Sequence, residues 1–284
     1  MMKYRAKKSL GQNFLINPRV AEHMVLESNI SKKDTVLEVG PGTGNLTKYL
    51  LARAKKVIAV EKDDNLAKEL AKKFKKEIKN KKLILVKQDI LERTLGRSDG
   101  DGQRKFSAEN FRGESKNVLR NYKIVANIPY NITGAILKKF LSDKNKPKSM
   151  ALMIQKEVAE RIIARDGRES LLSISVKAYG EPKILFRVSR GNFYPTPNVD
   201  SAVIYIKNIS DKIFVENNIN EKEFWEVIRA GFAHKRKKLS SNLKKMGIFI
   251  DKSCENTLKN KRAEELTLKD WTNLIKDIHI NKKK

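Results

Sequence analysis

The chain has 284 residues, 40% of them hydrophobic, with 61 Lys and Arg against 33 Asp and Glu, a formal net charge of +28. That length buries one large core, or one core plus a small appended domain, and the charge far exceeds what solubility needs, so a polyanion is the expected partner: nucleic acid first, an anionic membrane surface second. One cysteine, Cys254, excludes an internal disulfide or a cysteine-built zinc cluster, three scattered histidines argue against a histidine-built metal site, and no window approaches the roughly 18 apolar residues of a membrane span or the apolar core of a signal peptide. A cytoplasmic, metal-independent protein that binds nucleic acid is the expectation.

A basic arm ending in Gly11-Gln12-Asn13-Phe14-Leu15 leads to a helix start, with Asn17 as N-cap, Pro18 at the first helical position, and Val20, Ala21, Met24 and Val25 on one face. A strand over 35–39 runs into Gly40-Pro41-Gly42-Thr43-Gly44 and a helix carrying Leu46, Leu50 and Leu51. Glycines between a strand and a helix let a ligand approach the backbone and meet amide donors. The spacing is Gly-x-Gly-x-Gly, not the nicotinamide-dinucleotide fingerprint. A second strand over 57–61 ends in Glu61 about twenty residues on, the separation of a ribose hydroxyl clamp. A third, 83–86, is followed by Gln88-Asp89, where an acid can accept from an adenine amino group. Between these two strands, residues 63–82 read as one amphipathic helix with a solvated lysine face. Residues 93–121 have no periodicity and read as a surface insertion.

The apolar run from Lys123 ends in Asn127-Ile128-Pro129-Tyr130. Proline removes a donor and turns the chain, so an amide, free carbonyls and an aromatic ring meet at one strand end. Those groups can hold a planar base bearing an exocyclic amine. Helices follow near 133–140, 156–164 and 170–178, with strands at 149–154, 183–188 and 202–206. Seven strands alternating with helices indicate a mainly parallel sheet covered on both faces, with ligands outside the strands' carboxyl ends. Between the last two strands, Phe193-Tyr194-Pro195-Thr196-Pro197 forms a proline-stiffened loop whose aromatics can stack on an unpaired base. After about residue 209 the pattern is helical only. Its basic segment, His234-Lys235-Arg236-Lys237-Lys238, opens a helix and suits phosphate contacts.

In this combination the chain resembles the small-subunit ribosomal RNA adenine dimethyltransferases of the KsgA/RsmA type. The resemblance rests on Gly11 to Leu15, Glu38 to Gly44, Glu61, Asp89, Asn127 to Tyr130, Phe193-x-Pro-x-Pro-x-Val-Asp-Ser201 and Phe232 to Lys238, in order over nearly the whole chain. The 93–121 insertion and lysines in the family's arginine-rich segment are departures. The resemblance implies a Rossmann-like class I methyltransferase domain with a seven-stranded mixed sheet over residues 1–209, and a small all-helical RNA-binding domain over 210–284. It implies S-adenosylmethionine as cofactor, lined by Asn13, Leu15 and Gly40, with Glu61 on the ribose, Asp89 on the adenine and Asn127 between cofactor and target base. Catalysis falls to Asn127, Pro129, Tyr130 and Phe193, with the two rings stacking an extruded adenine, and RNA contacts to Lys235, Arg236, Lys237 and Lys238. The implied reaction dimethylates two adjacent adenines in the 3′-terminal hairpin loop of small-subunit ribosomal RNA during subunit maturation; monomer is the default oligomeric state. An adenine amine is a poor nucleophile because its lone pair is delocalised. Proton acceptance by Asn127 and a carbonyl of the Ile128-Pro129 turn would favour a pyramidal nitrogen, with no general base needed. The alternatives are a resistance methyltransferase acting on large-subunit RNA and a non-catalytic assembly factor on the same fold.

Overall fold

Apolar residues on both faces of the predicted strands require a sheet covered on both sides. The computed structural model describes residues 6–7, 10–91, 119, 121–250, 260–276 and 278–280. Except for Leu119 and Asn121, the 93–121 insertion lies outside the described residues, as does the lysine-rich tail. The seven expected strands are all present: β1 (Thr35–Val39), β2 (Lys56–Glu61), β3 (Leu83–Lys87), β4 (Tyr122–Asn127), β5 (Met150–Gln155), β6 (Glu181–Val188) and β7 (Ser201–Lys207). They form one sheet in the order β3-β2-β1-β4-β5-β7-β6. The pairs β1–β2, β2–β3, β1–β4 and β4–β5 are parallel, and β7 runs antiparallel to β5. The order reverses between β1 and β4. In an open sheet of this kind a crevice forms outside the strand ends at that point.

Helix α1 (Pro18–Glu27) starts where capping chemistry places it, with the Asn17 side chain accepting from the Arg19 amide, and buries Ala21, Met24 and Val25. Helix α2 (Asn45–Arg53) buries Leu46, Leu50 and Leu51. The helix expected over 63–82 is two, α3 (Asp64–Lys73) and α4 (Lys75–Lys79), joined at Phe74 with φ −110° and ψ 29°. Phe74 is buried, and its ring lies where a Cβ on Gly44 would come within 2.6 Å of it. The break lets that ring seat on the glycine-rich loop. After β4, α5 (Thr133–Leu141) buries Ile136, Leu137, Phe140 and Leu141.

The chain divides into two units, Met1–Ala159 with Lys183–Lys207, and Glu160–Pro182 with Asn208–Lys284. Helix α6 (Lys156–Ile163) spans a division between them, and α7 (Leu171–Lys177) belongs to the second, closed by a capping box between Ser170 and Ser173. The second unit adds α8 (Lys212–Glu216), α9 (Glu221–Gly231), α10 (Leu239–Lys245) and α11 (Leu268–Lys276) around buried Phe224, Leu239, Leu243 and Trp271. It is helical but not helix alone. Residues Ile248–Ile250 and Ile278–Ile280 pair as an antiparallel ribbon. Three-residue strands nearly thirty residues apart are too short for alternation to announce them.

Candidate functional site

One cavity gathers the carboxyl ends of β1, β2, β3 and β4 under the N-terminal arm. Asn13, Leu15, Gly40, Glu61, Asp89, Asn127, Pro129 and Tyr130 all line it. Positive φ at Gly40 (67°), Gly42 (58°) and Gly44 (78°) turns the loop after β1 in a way L-residues resist. A Cβ on Gly40 would meet nothing within 4 Å, so a ligand can approach the backbone there.

Glu61 is 5% exposed, yet both of its oxygens are engaged. The Gly42 amide donates to Oε2 at 3.0 Å and the Asp63 amide to Oε1 at 2.8 Å. Burial pushes its carboxyl above the usual range while those amides pull it back. The carboxylate has four acceptor sites, so it can still accept from a further donor. Asp89 behaves oppositely. Partial burial would raise its pKa, but Lys62 at 2.7 Å and the Leu91 amide at 2.8 Å outweigh that and hold it below the ordinary carboxylate value. It is an ionised acceptor at the cavity's far end.

The Asn127 side-chain nitrogen donates to the Asn13 carbonyl at 3.2 Å. This contact orients the amide, so the Asn127 oxygen is the atom left to accept from a ligand. The arm is also tied by the Asn45 side-chain nitrogen, which donates to the Leu15 carbonyl at 2.6 Å. Tyr130 is half-buried, its hydroxyl 2.7 Å from the hydroxyl of fully buried Ser201 on β7. That bond fixes the ring and joins the Asn127–Tyr130 turn to the end of the proline loop.

Phe193 is not brought into this cavity. It is 1% exposed, packs in the core, and pairs with Leu15 in a two-residue antiparallel bridge whose other pair is Phe14 and Tyr194. So placed, its ring is covered by the core and does not face the cavity, while neighbouring Tyr194 is 51% exposed. The arm and the proline loop lie about 180 residues apart, and nothing in either announces their pairing. Lys235, Arg236, Lys237 and Lys238 lie exposed in the turn before α10. Buried Asn242 donates to the Gly231 and His234 carbonyls at 2.6 and 3.1 Å and so holds that turn, while Lys238 reaches Asn260 at 2.8 Å.

Three further residues matter that strand-end reasoning passes over. Lys62 keeps Asp89 charged, and the Gly42 amide anchors Glu61. Glu38 lines the cavity at 1% exposure, with neither carboxylate oxygen completing a hydrogen bond among the described residues. Its position just ahead of the glycine-rich loop is the only signal of this in the sequence.

The family model for ribosomal RNA adenine dimethylase matches residues 3–279. A protein of Dehalococcoides mccartyi named ribosomal RNA small subunit methyltransferase A is 40% identical over 277 residues, 95% of this chain and 87% of its own length. One of the same name from Fusobacterium nucleatum is 38% identical, covering 97% of this chain and 98% of its own. Among solved structures, a dimethyladenosine transferase from Plasmodium falciparum superposes with a TM-score of 0.72 at 28% identity, over 92% of this chain and 95% of that one. The 23S rRNA methyltransferase ErmE, 21% identical with a TM-score of 0.69 over 93% of this chain and 99% of that one, shares the fold. With these motifs on one cavity and a family match over almost its whole length, the chain belongs to the ribosomal RNA adenine dimethylase family.

Proposed function

We propose that this protein transfers methyl groups from S-adenosylmethionine to the amino groups of two adjacent adenines in the 3′-terminal hairpin loop of small-subunit ribosomal RNA. It does so as a cytoplasmic monomer during subunit maturation. The observation that carries this reading is the Asn127 amide, locked by the Asn13 carbonyl so that its oxygen is left for the cavity beside an anchored Tyr130.

The donor set fits the cofactor. Ribose hydroxyls suit the buried acceptor Glu61, and an adenine amine suits ionised Asp89. Asn13, Leu15 and the open backbone at Gly40 would line the remainder. When bound, S-adenosylmethionine supplies an electrophilic methyl group. The chain's own residues do the rest. Asn127 Oδ1 and the Ile128 carbonyl accept the protons of the target amine, drawing its lone pair out of the ring. The Pro129 carbonyl already accepts from the Ile132 amide at 3.2 Å, which holds the turn rigid. Tyr130 stacks the extruded base, and Phe193 supports the bridge from the core. Orientation of this kind supplies roughly 7–11 kcal/mol of a barrier. Lys235, Arg236, Lys237 and Lys238 contact RNA phosphates.

The test is labelled methyl transfer from S-adenosylmethionine to immature small subunits, beside large subunits and naked RNA, with nucleosides resolved by mass spectrometry. Dimethyladenosine confined to the small-subunit sample is the expected result. Product on large-subunit RNA instead would move the chain to resistance chemistry, and cofactor binding without any product would leave a scaffold.

A further inference from the structure

The arm that roofs the cavity is fixed at a point the mechanism above does not use. Lys7 Nζ pairs with Asp63 Oδ2 at 2.8 Å, and the Asp63 side chain is only 4% exposed. The other Asp63 oxygen caps α3, accepting from the Asn65 and Leu66 amides at 2.9 and 3.4 Å. The Asp63 backbone amide in turn donates to Glu61 Oε1 at 2.8 Å. One residue therefore holds the arm, the start of α3 and the expected ribose acceptor. Lys7 is also tied into the arm. Its amide donates to Gln12 Oε1 at 2.9 Å, and its carbonyl accepts from the Leu10 amide at 3.0 Å. Farther on, Gly11 lies against the turn after β4, where an added Cβ would meet Asn131 Oδ1 at 3.0 Å. The Asn13 carbonyl then accepts from Asn127. The arm thus crosses the crevice from the end of β2 to the end of β4, and Leu10, Gly11 and Gln12 line the cavity on the way. Nearby Lys62 and Lys72 are engaged by Asp89 and Glu69.

We propose that Lys7 is a positioning residue for cofactor binding: its ion pair with Asp63 seats the arm across the crevice, against the residue that anchors Glu61, before the ligand arrives. The proposal rests on the reading of this cavity as the S-adenosylmethionine site. A buried carboxylate stripped of its cation is left with an uncompensated charge, so the pair favours the seated arm. The Lys7 side chain is 49% exposed, so water screens the pair in part and the effect is moderate. An arm already seated spares the ligand the cost of ordering it, and affinity scales with the fraction of protein in that state.

Isothermal titration of the full chain with S-adenosylmethionine tests this for the parent, Lys7→Met, Lys7→Arg, Asp63→Asn and the Lys7→Met/Asp63→Asn double variant. Asparagine keeps the cap on α3 and the backbone amide on Glu61, so Asp63→Asn removes the charge and little else. If the seated fraction falls from about nine-tenths to about one-tenth, Kd rises about ninefold in either single variant. The double variant should be no weaker than the singles, because both remove the same pair. Lys7→Arg should stay within about twofold of the parent, since a guanidinium pairs with a carboxylate at least as well. Trypsin supplies a readout without ligand. It must take the Lys7 ammonium into its own acidic pocket, so cleavage after Lys7 should run about ninefold faster in Asp63→Asn, tracking the unseated fraction. Three results would each overturn the proposal: a double variant weakened by the product of the single effects, a Lys7→Arg variant as weak as Lys7→Met, or an Asp63→Asn variant unchanged in either Kd or cleavage. If the parent itself binds no S-adenosylmethionine, the cofactor reading fails and the proposal with it.

Discussion

Asn127, Glu61 and Glu38 differ in what the fold asks of each. Asn127 is held by one hydrogen bond to the arm, so its removal should disturb chemistry more than cofactor capture. Asn127→Ala is expected to lower single-turnover methyl transfer by about 10²-fold or more, as removal of one preorganised polar group does elsewhere. Its S-adenosylmethionine Kd should stay within about threefold of the parent's, since most cofactor contacts remain. Equal losses in both would sink the assigned role. Glu61 should show the reverse, because its carboxylate both faces the cavity and satisfies the Gly42 and Asp63 amides. Glu61→Ala should weaken cofactor binding first and cost about 1–3 kcal/mol in stability by orphaning those donors, read in a denaturant titration. Glu38 carries a pH signature. Its pKa rises on folding to about 8, so between the ordinary value of 4.5 and that point the folded chain keeps a proton that the unfolded chain releases. Stability contributed by this group therefore falls as pH rises through that window. Glu38→Gln cannot ionise, and should exceed the parent by about 1–3 kcal/mol at pH 9 while the gap closes toward pH 5, as urea denaturation at the two pH values would show.

Among elements, the glycine-rich loop depends on α3 and Phe74 as much as on its own glycines. Gly44 combines φ 78° with a neighbouring ring that leaves no room for a methyl group. Gly44→Ala should cost about 1–3 kcal/mol from strain and overpacking together, and should loosen S-adenosylmethionine binding through the displaced loop. Gly40→Ala, with open space around its Cβ position, bears only the backbone penalty of about 1–2 kcal/mol, although its methyl would occupy ligand space. A melting-temperature comparison of the two variants separates the packing cost from the conformational one. The break at Phe74 explains why a lysine-rich stretch that scans as one helix is two: tertiary packing of one ring outweighs local propensity.

For the whole molecule, a net charge of +28 should make RNA binding strongly salt-dependent. Replacing Lys235, Arg236 and Lys237 by alanine should weaken binding of small-subunit RNA and reduce the slope of log K against log salt by about one for each phosphate no longer neutralised. S-adenosylmethionine affinity should be unaffected. An unchanged slope would place the phosphate-binding cations elsewhere on the basic surface.

Short apolar, β-branched runs bounded by turn residues identified all seven sheet strands, and capping chemistry placed the start of α1 at Asn17, because both follow from local backbone geometry. The same reading identified Gly40, Glu61, Asp89 and Asn127 as strand-end groups, since parallel strands bring their carboxyl ends to one edge whatever their order. What it could not supply were relations between distant segments. The bridge of Phe14–Leu15 with Phe193–Tyr194 buries the ring expected to stack on the base, and the Ile248–Ile250 ribbon needs a partner nearly thirty residues away. Lys62 on Asp89, the Lys73 hydrogen bond to the Thr43 carbonyl and Ser201 at the Tyr130 hydroxyl are likewise decided by packing. Pattern follows the local backbone repeat, whereas burial and charge pairing depend on which segments the finished core brings within a few ångströms.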